Sequence, residues 1–284
     1  MKRGEKYFPK KLEKLKDCPD ILYVLGNEKI LNDFSIAIVG ARNCSYDGKK
    51  FSRKVSYELA QRGINIVSGL ALGIDSASHQ GCLEAKGKTI AVLGGGVKTI
   101  YPKENLKLYE QIIDEGGAII SEQLPYDPPI SIRLRNRNRI ISAISDGVIV
   151  IEARERSGSL VTARWAKKLN KKIFVIPGSI SDYNYKGSNA LLADGAKCIR
   201  DTEDVLKNYP KIYQKTQKDL EILTHFDVPK ELVHVYELID QKGKSIDEIS
   251  KILKCGSKEI ISKLTMLEMQ DLIVQYPGKI FVRK

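Results

Sequence analysis

Arg133 to Thr162, RLRNRNRIISAISDGVIVIEARERSGSLVT, is the stretch that decides the fold. Its middle, Asp146 to Ile151 (DGVIVI), is apolar from Val148 onward, the pattern of a strand buried on both faces of a parallel sheet. Ser157-Gly158-Ser159-Leu160-Val161-Thr162 follows at once, small hydroxyl residues opening a helical pattern. A small-residue turn that leaves the carboxyl end of a strand and starts a helix is expected to aim backbone N–H groups at an anion. Upstream, Arg133, Arg135, Arg137 and Arg139 alternate with Leu134, Asn136 and Asn138, so four guanidiniums fall within seven residues. Each planar fork suits phosphate oxygens. The same run also reads as an arginine-rich helix start solvated at the surface, so alone it names no ligand.

Working outward, the pattern alternates regularly. Ile36–Val39, Ile64–Val67, Thr89–Leu93, Ala118–Ile120, Val148–Ile151 and Ile173–Ile176 read as strands. Asp47–Gln61, Ile74–Ala85, Leu106–Glu115 and Leu160–Leu169 read as helices. Ala190–Ala193, Lys197–Ile199 and Thr202–Leu206 complete the set. Strands and helices alternating at this length predict an α/β, Rossmann-like, doubly wound parallel sheet with helices on both faces. Ligands of such sheets bind beyond the carboxyl ends of the strands. Glycines sit at those ends: Gly40, Gly69, Gly73, Gly94-Gly95-Gly96 and Gly158, with Arg42 and Lys98 nearby.

Residues 1–34 are expected as a short N-terminal helical extension, residues 35–207 as the Rossmann-like domain and residues 208–228 as a linker. Residues 229–284 show a different periodicity. Leu232, Val235, Tyr236 and Ile239 mark one helix, Ser245-Ile246-Asp247-Glu248 is a capping box for a second, and Ile260 to Met269 marks a third. Leu272–Tyr276 and Lys279–Arg283 flank Pro277-Gly278 as a hairpin. Three helices and a hairpin predict a small winged-helix domain.

Composition narrows the classes. The 284 residues carry a formal charge of +12, yet residues 225–284 hold ten Lys/Arg against nine Asp/Glu, so nearly all the excess lies in residues 1–224. That favours a polyanionic partner, with nucleic acid ahead of a membrane surface, because no basic amphipathic helix with a bulky apolar face stands out. No segment approaches the ~18 continuous apolar residues of a membrane span, and MKRGEKYFPKKLEKLK lacks the apolar core of a secretory signal. The five cysteines (Cys18, Cys44, Cys82, Cys198, Cys255) show no C-x-x-C spacing and form no ligand cluster with the three histidines. A reducing, cytoplasmic setting without metal or cofactor is the expectation. A G-x-G-x-x-G after the first strand and a G-x-x-x-x-G-K-[ST] loop are both missing, which argues against a dinucleotide oxidoreductase and a P-loop ATPase.

The ordered motifs are recognisable as a set. They are Ile38-Val39-Gly40-Ala41-Arg42, Val67-Ser68-Gly69-Leu70-Ala71 with Gly73-Ile74-Asp75, Tyr101-Pro102-Lys103, Arg137-Asn138-Arg139-Ile140-Ile141, Ser157-Gly158-Ser159-Leu160 with Thr162, and Pro177-Gly178. Taken in order, the chain closely resembles the DNA-processing protein A family (DprA, also called Smf) over about residues 35–207, and to residue 284 with the winged helix. The resemblance implies a non-enzymatic mediator that binds single-stranded DNA, with duplex DNA as a second form, and loads a RecA-type recombinase during natural transformation. It further implies exchange with single-strand-binding protein, and homodimers formed through the Rossmann-like domain. By motif match, Arg42 and Lys103 would line the pocket for the strand's backbone, and Arg137, Arg139 and the Ser157–Thr162 turn (Ser157, Gly158, Ser159, Thr162) would complete it, beside Gly40 and Gly69. Two departures stand out. Ala41 replaces the family's usual Ser, and Leu134-Arg135 replaces a Phe-Pro pair, exchanging an aromatic available for base contact for a cation.

Other residues have plainer readings. Tyr46, Tyr101 and Tyr126 could stack on bases or simply pack at the domain rim. Asp75 and His79, four residues apart on one helix, read as a packing pair rather than an acid–base pair. Glu122 and Glu152 lie near strand ends, where Glu152 could pair with an arginine. The rival class is a Rossmann-like nucleotide-binding protein or a nucleotide N-glycoside hydrolase, which needs a catalytic Glu on the helix after the glycine-rich turn. Here that helix begins Ser159-Leu160-Val161-Thr162-Ala163-Arg164-Trp165, without a carboxylate.

Overall fold

The computed structural model describes residues 1–216, 231–240, 243–253, 255–269 and 272–283. The chain folds as two units, Met1–Tyr213 and Gln214–Lys284. In the first, eight strands form one sheet: β1 (Tyr23–Gly26), β2 (Ser35–Gly40), β3 (Asn65–Ser68), β4 (Thr89–Val92), β5 (Ala118–Ser121), β6 (Gly147–Ile151), β7 (Lys172–Val175) and β8 (Lys197–Cys198). Their spatial order is β1-β5-β4-β3-β2-β6-β7-β8, with every pair parallel except β1 against β5. Strands β3, β4, β5 and β6 are buried along their whole length, as their largely apolar sequences lead one to expect. The sheet is the expected doubly wound one, with an antiparallel edge added.

That edge comes from the segment expected to be a helical extension. Residues 23–26 pair with β5, and Phe8, Leu12, Leu15 and Leu22 are buried in the same core as Ile140, Ile144 and Val150. The spacing of those apolar residues suggested helices, but only single 3-10 turns form at Lys10–Lys14 and Glu28–Asn32. Tertiary burial, which the local pattern does not report, makes this segment part of the domain. Two ion pairs fix it: Lys11 Nζ meets Asp146 at 2.5 Å, and Asp17 meets Arg139.

Helices accompany the sheet: α1 (Tyr46–Gln61), α2 (Ile74–Glu84), α3 (Leu106–Asp114), α4 (Ser131–Asn136), α5 (Asn138–Ile144), α6 (Ser159–Lys168), α7 (Lys186–Ala193) and α8 (Thr202–Leu206). Small residues let α1 and α2 approach closely. Ser52 Oγ donates to the Ile74 carbonyl, Ser56 Oγ to that of Ser78, and a Cβ on Gly81 would collide with the Arg53 backbone. Gly40 ends β2 for a similar reason, since a Cβ there would overlap the Ile151 carbonyl of β6. Residues 208–213, the start of the expected linker, instead belong to the first unit, with Tyr209, Ile212 and Tyr213 packed on its core. Residues 210–216 are helical, Tyr209 stacks edge-on against Phe34 at 5.0 Å, and its hydroxyl donates to the Asp146 carbonyl. Most of the remaining expected linker, residues 217–228, lies outside the described residues.

The second unit has its own core of Leu232, Val235, Ile249, Ile260, Leu264, Leu267 and Phe281. Helices Val233–Leu238, Ile246–Leu253 and Ser257–Met269 pack with a three-stranded antiparallel sheet of β9 (Lys244–Ser245), β10 (Ile273–Tyr276) and β11 (Ile280–Arg283). The capping box closes as read. Glu248 N donates to Ser245 Oγ at 3.3 Å, and Ser245 N donates back to Glu248 Oε2 at 2.8 Å. This is a winged-helix arrangement. Among the described residues no helix is long and apolar enough to cross a membrane, and no group of three His, Cys, Asp or Glu could hold a metal ion.

Candidate nucleic-acid interface

The chain order reverses between β2 and β6. From β2 it winds outward through β3, β4 and β5, then crosses to β6 and winds the other way through β7 and β8. Loops leaving the carboxyl ends of β2 and β6 therefore diverge and leave a crevice. A cleft of about 660 Å³ occupies that position. Gly40, Arg42, Arg135, Arg137, Asn138, Arg156, Ser157, Gly158, Ser159, Thr162 and Arg164 line it, with Asp75 and Glu155 as its carboxylates. Five arginines against two acids make it cationic.

The four alternating arginines do not share this cleft. Residues 131–144 are helical, with α4 and α5 meeting at Arg137 (φ −52°, ψ −35°). A helix places neighbours at three- and four-residue spacing on one face, so the cleft receives Ser131, Leu134, Arg135, Asn138 and Ile141, with Arg137 added at the joint between the two helices. Arg133 turns to Asp127 and the Pro128 carbonyl. Arg139 is 8% exposed and does not line the cleft; its guanidinium is held by Asp17 and Glu122, each at 2.6 Å.

Arg137 forms part of the cleft floor at 5% exposure. Its Nη1 donates to the Gly69 carbonyl at 2.7 Å and to that of Val92, and Nε donates to Asn138 Oδ1 at 3.1 Å. It thus serves carbonyls at the carboxyl ends of β3 and β4. Gly69 is glycine because a Cβ there would meet that guanidinium. Burial pushes the Arg137 pKa down to about 10, with Asp75 opposing and Arg42 adding to the shift. Asp75 is buried as well, accepts from Gly69 N at 3.1 Å, and is raised above its ordinary range by desolvation, with Arg137 countering.

His79 belongs to this buried group without pairing with Asp75. Its Nδ1 hydrogen-bonds Thr89 Oγ1 at 2.6 Å, and Nε2 has no partner among the described residues. Burial, with Arg137 adding repulsion, lowers its pKa from 6.5 to about 3. Between these values the unfolded chain binds a proton that the folded chain refuses. Stability therefore falls as the pH drops through that window, by up to about 1.4 kcal/mol per pH unit. His79→Gln is expected to flatten the acid limb of stability against pH in urea melts, and an unchanged limb would contradict this assignment.

The turn into α6 differs from the expected row of free amides. Ser159 N donates to Ser157 Oγ at 3.3 Å, Leu160 N to the Ser157 carbonyl and Val161 N to that of Gly158. What it offers the cleft is the linked hydroxyl pair of Ser157 and Ser159, 2.7 Å apart, and the Gly158 N–H, which has no acceptor among the described residues. Thr162 is buried, and its carbonyl accepts from Ser142 Oγ. The cations left free are Arg42, Arg135 and Arg156, all exposed and without side-chain hydrogen bonds or ion pairs among the described residues. Arg156 and Arg164 were not among the expected site residues. Both flank the Ser157–Thr162 turn, and that proximity was the available signal.

Other expected residues fall nearby. Lys103 is exposed on a single 3-10 turn and does not line the cleft. Gly69 and Tyr101 line a small adjoining hollow of about 50 Å³, shared with Arg42, Leu134 and Arg137. Tyr46 and Tyr126 are 79% and 74% exposed, and neither lines the cleft. Glu152 pairs with no arginine among the described residues. It is fully buried, accepts from Ser45 N at 2.8 Å and from the hydroxyls of Ser45 and Tyr185, and so anchors the start of α1.

Fold and cleft together define a class: Rossmann-like proteins with a cationic crevice at the topological switch point. Residues 1–210 match the family described as DNA recombination-mediator protein A, and the chain belongs to that family. It is 34% identical over 285 residues to Protein Smf of Escherichia coli K12, covering 96% of this chain and 74% of that protein. The fold matches the crystal structure of DNA processing protein A from Streptococcus pneumoniae with a TM-score of 0.68 at 39% identity, covering 73% of this chain and 72% of that one. It also matches DNA processing protein A from Helicobacter pylori, a structure described for its single-stranded DNA binding mode. There the TM-score is 0.66 at 35% identity, over 72% of this chain and 93% of that one.

Proposed function

We propose that the cleft binds single-stranded DNA and that the protein acts as a recombination mediator without catalysing a reaction on the strand. The observation that carries this reading is the set of exposed arginines without partners among the described residues, Arg42, Arg135 and Arg156, converging with Arg164 on the switch-point crevice. Guanidiniums without protein partners are free to take phosphate oxygens, which gives affinity with little sequence preference. Ser157, Gly158 and Ser159 add hydroxyl and amide donors at the same wall. Arg137 and Gly69 support the floor, Gly40 lets β2 and β6 close beneath it, and Arg139 holds the N-terminal segment in place. Family membership supports extending the proposal to loading of a RecA-type recombinase, exchange with single-strand-binding protein, homodimer formation and a cytoplasmic location.

The hydrolase alternative finds little support in the cleft. Asp75 is buried against Arg137, Glu155 is an exposed loop residue, and Glu152 is committed to α1. Anisotropy of a labelled oligo-dT across several salt concentrations tests the proposal, alongside an assay for base release from nucleoside monophosphates. Tight binding whose log K falls linearly with log salt, with no base release, is the expected result. Base release with no strand binding would reverse it.

A further inference from the structure

A strip of cations leaves the cleft along the outer face of α6. Arg164 is the joint. It lines the cleft, a shallow depression of about 190 Å³ with Val161, Trp165 and Lys168, and a hollow of about 380 Å³ that reaches Lys167, Lys172 and Lys197. From Arg156 to Lys172 the chain carries six Lys/Arg and no Asp or Glu. Lys171 is committed elsewhere, donating to the Ser142, Ala143 and Ser145 carbonyls behind α5, and the Lys172 and Lys197 ammoniums at the far hollow donate to the carbonyl and side chain of Asn208. Lys167 and Lys168 are exposed, with no hydrogen bond or ion pair from either ammonium among the described residues. Trp165 is half-buried against the core, and the Lys168 ammonium lies 4.7 Å from its ring centroid. Asp194 is the sole carboxylate among the described residues lining the two outer hollows.

We propose that the single strand held in the cleft continues along α6, its phosphates on Arg164, Lys167 and Lys168 and a base against Trp165, toward the hollow at Lys172 and Lys197. This rests on the cleft reading above and extends it. The ten residues of α6 rise about 15 Å at 1.5 Å per residue, so the strand engaged is several nucleotides longer than the cleft alone holds. Interleaved cations and an aromatic face are the recognition pattern for unpaired nucleotides. The track is also continuous with the cleft through one side chain, which favours the emerging strand over an unrelated acidic protein.

Trp165 is the only tryptophan in the chain, so its emission reports on this face. The test titrates oligo-dT of increasing length into the full chain, reading Trp165 emission together with anisotropy of an end label. Strands that fill only the cleft are expected to bind without changing the emission, whereas longer strands quench it and bind several-fold more tightly. Lys167→Gln combined with Lys168→Gln is expected to abolish that gain and to lower the long-strand salt slope by about 1.4, roughly 0.7 per contact. Short-strand binding stays unchanged in the same variant. Emission indifferent to strand length, with long-strand affinity intact in the variant, overturns the proposal. So does quenching of Trp165 by poly-glutamate but not by long oligo-dT, which would give this face to an acidic protein. Failure of short strands to bind would sink the cleft reading itself.

Discussion

Replacing Arg137 by methionine is expected to destabilise the fold by about 3–5 kcal/mol, read as a lowered midpoint in denaturant melts. Three losses combine. The Gly69 and Val92 carbonyls lose their donor, a buried space opens under Gly69, and Asp75 loses the cation that offsets its burial. Lysine is not expected to rescue, because a single ammonium cannot reproduce a fork that also reaches Asn138. The variant's pH dependence identifies the cause. Asp75 is already raised above its ordinary 3.8 by burial, and Arg137 is what holds it down. Without Arg137 the folded chain keeps the Asp75 proton to higher pH while the unfolded chain releases it. Stability then falls as pH rises through that window. The deficit should be larger near pH 8 than near pH 5. A deficit independent of pH would mean that packing alone is responsible.

The opposite behaviour is expected when Arg42, Arg135 and Arg156 are changed together to alanine. All three are exposed and without side-chain partners among the described residues, so the unfolding midpoint should stay within about 0.5 kcal/mol of the parent. Binding of oligo-dT should suffer instead. Three lost phosphate contacts lower the salt slope by about 2. If the counterion effect vanishes near 1 M salt, the loss at ~0.1 M is about a hundredfold. An unchanged slope in a folded triple variant would place the strand elsewhere. Together the two experiments separate the arginine that builds the cleft from those that face it.

Much of this was legible in the chain itself. The apolar runs at Ile36–Val39 and Val148–Ile151 are strands because nothing polar interrupts them, and residues 244–283 announce their helices and hairpin by caps and turn residues. The N-terminal segment was less legible. Tyr23–Gly26 is too short to show a strand period, and its partner β5 lies about ninety residues away. The fate of Arg139 was hidden for a related reason, since Asp17 and Glu122 reach it from two distant segments.

Periodicity, caps and ordered motifs are local properties, so the doubly wound sheet, the winged helix, the concentration of positive charge in residues 1–224 and the family can all be read along the chain. Which arginines are available depends instead on long-range packing. Four that alternate in the chain are dealt out by the helical turn of residues 131–144: one to the cleft wall, one buried in its floor, and two to carboxylates outside it. Arg42, Arg156 and Arg164 join Arg135 from other segments because the sheet reverses direction between β2 and β6. Charge is written residue by residue, but exposure depends on which distant groups fold against each one.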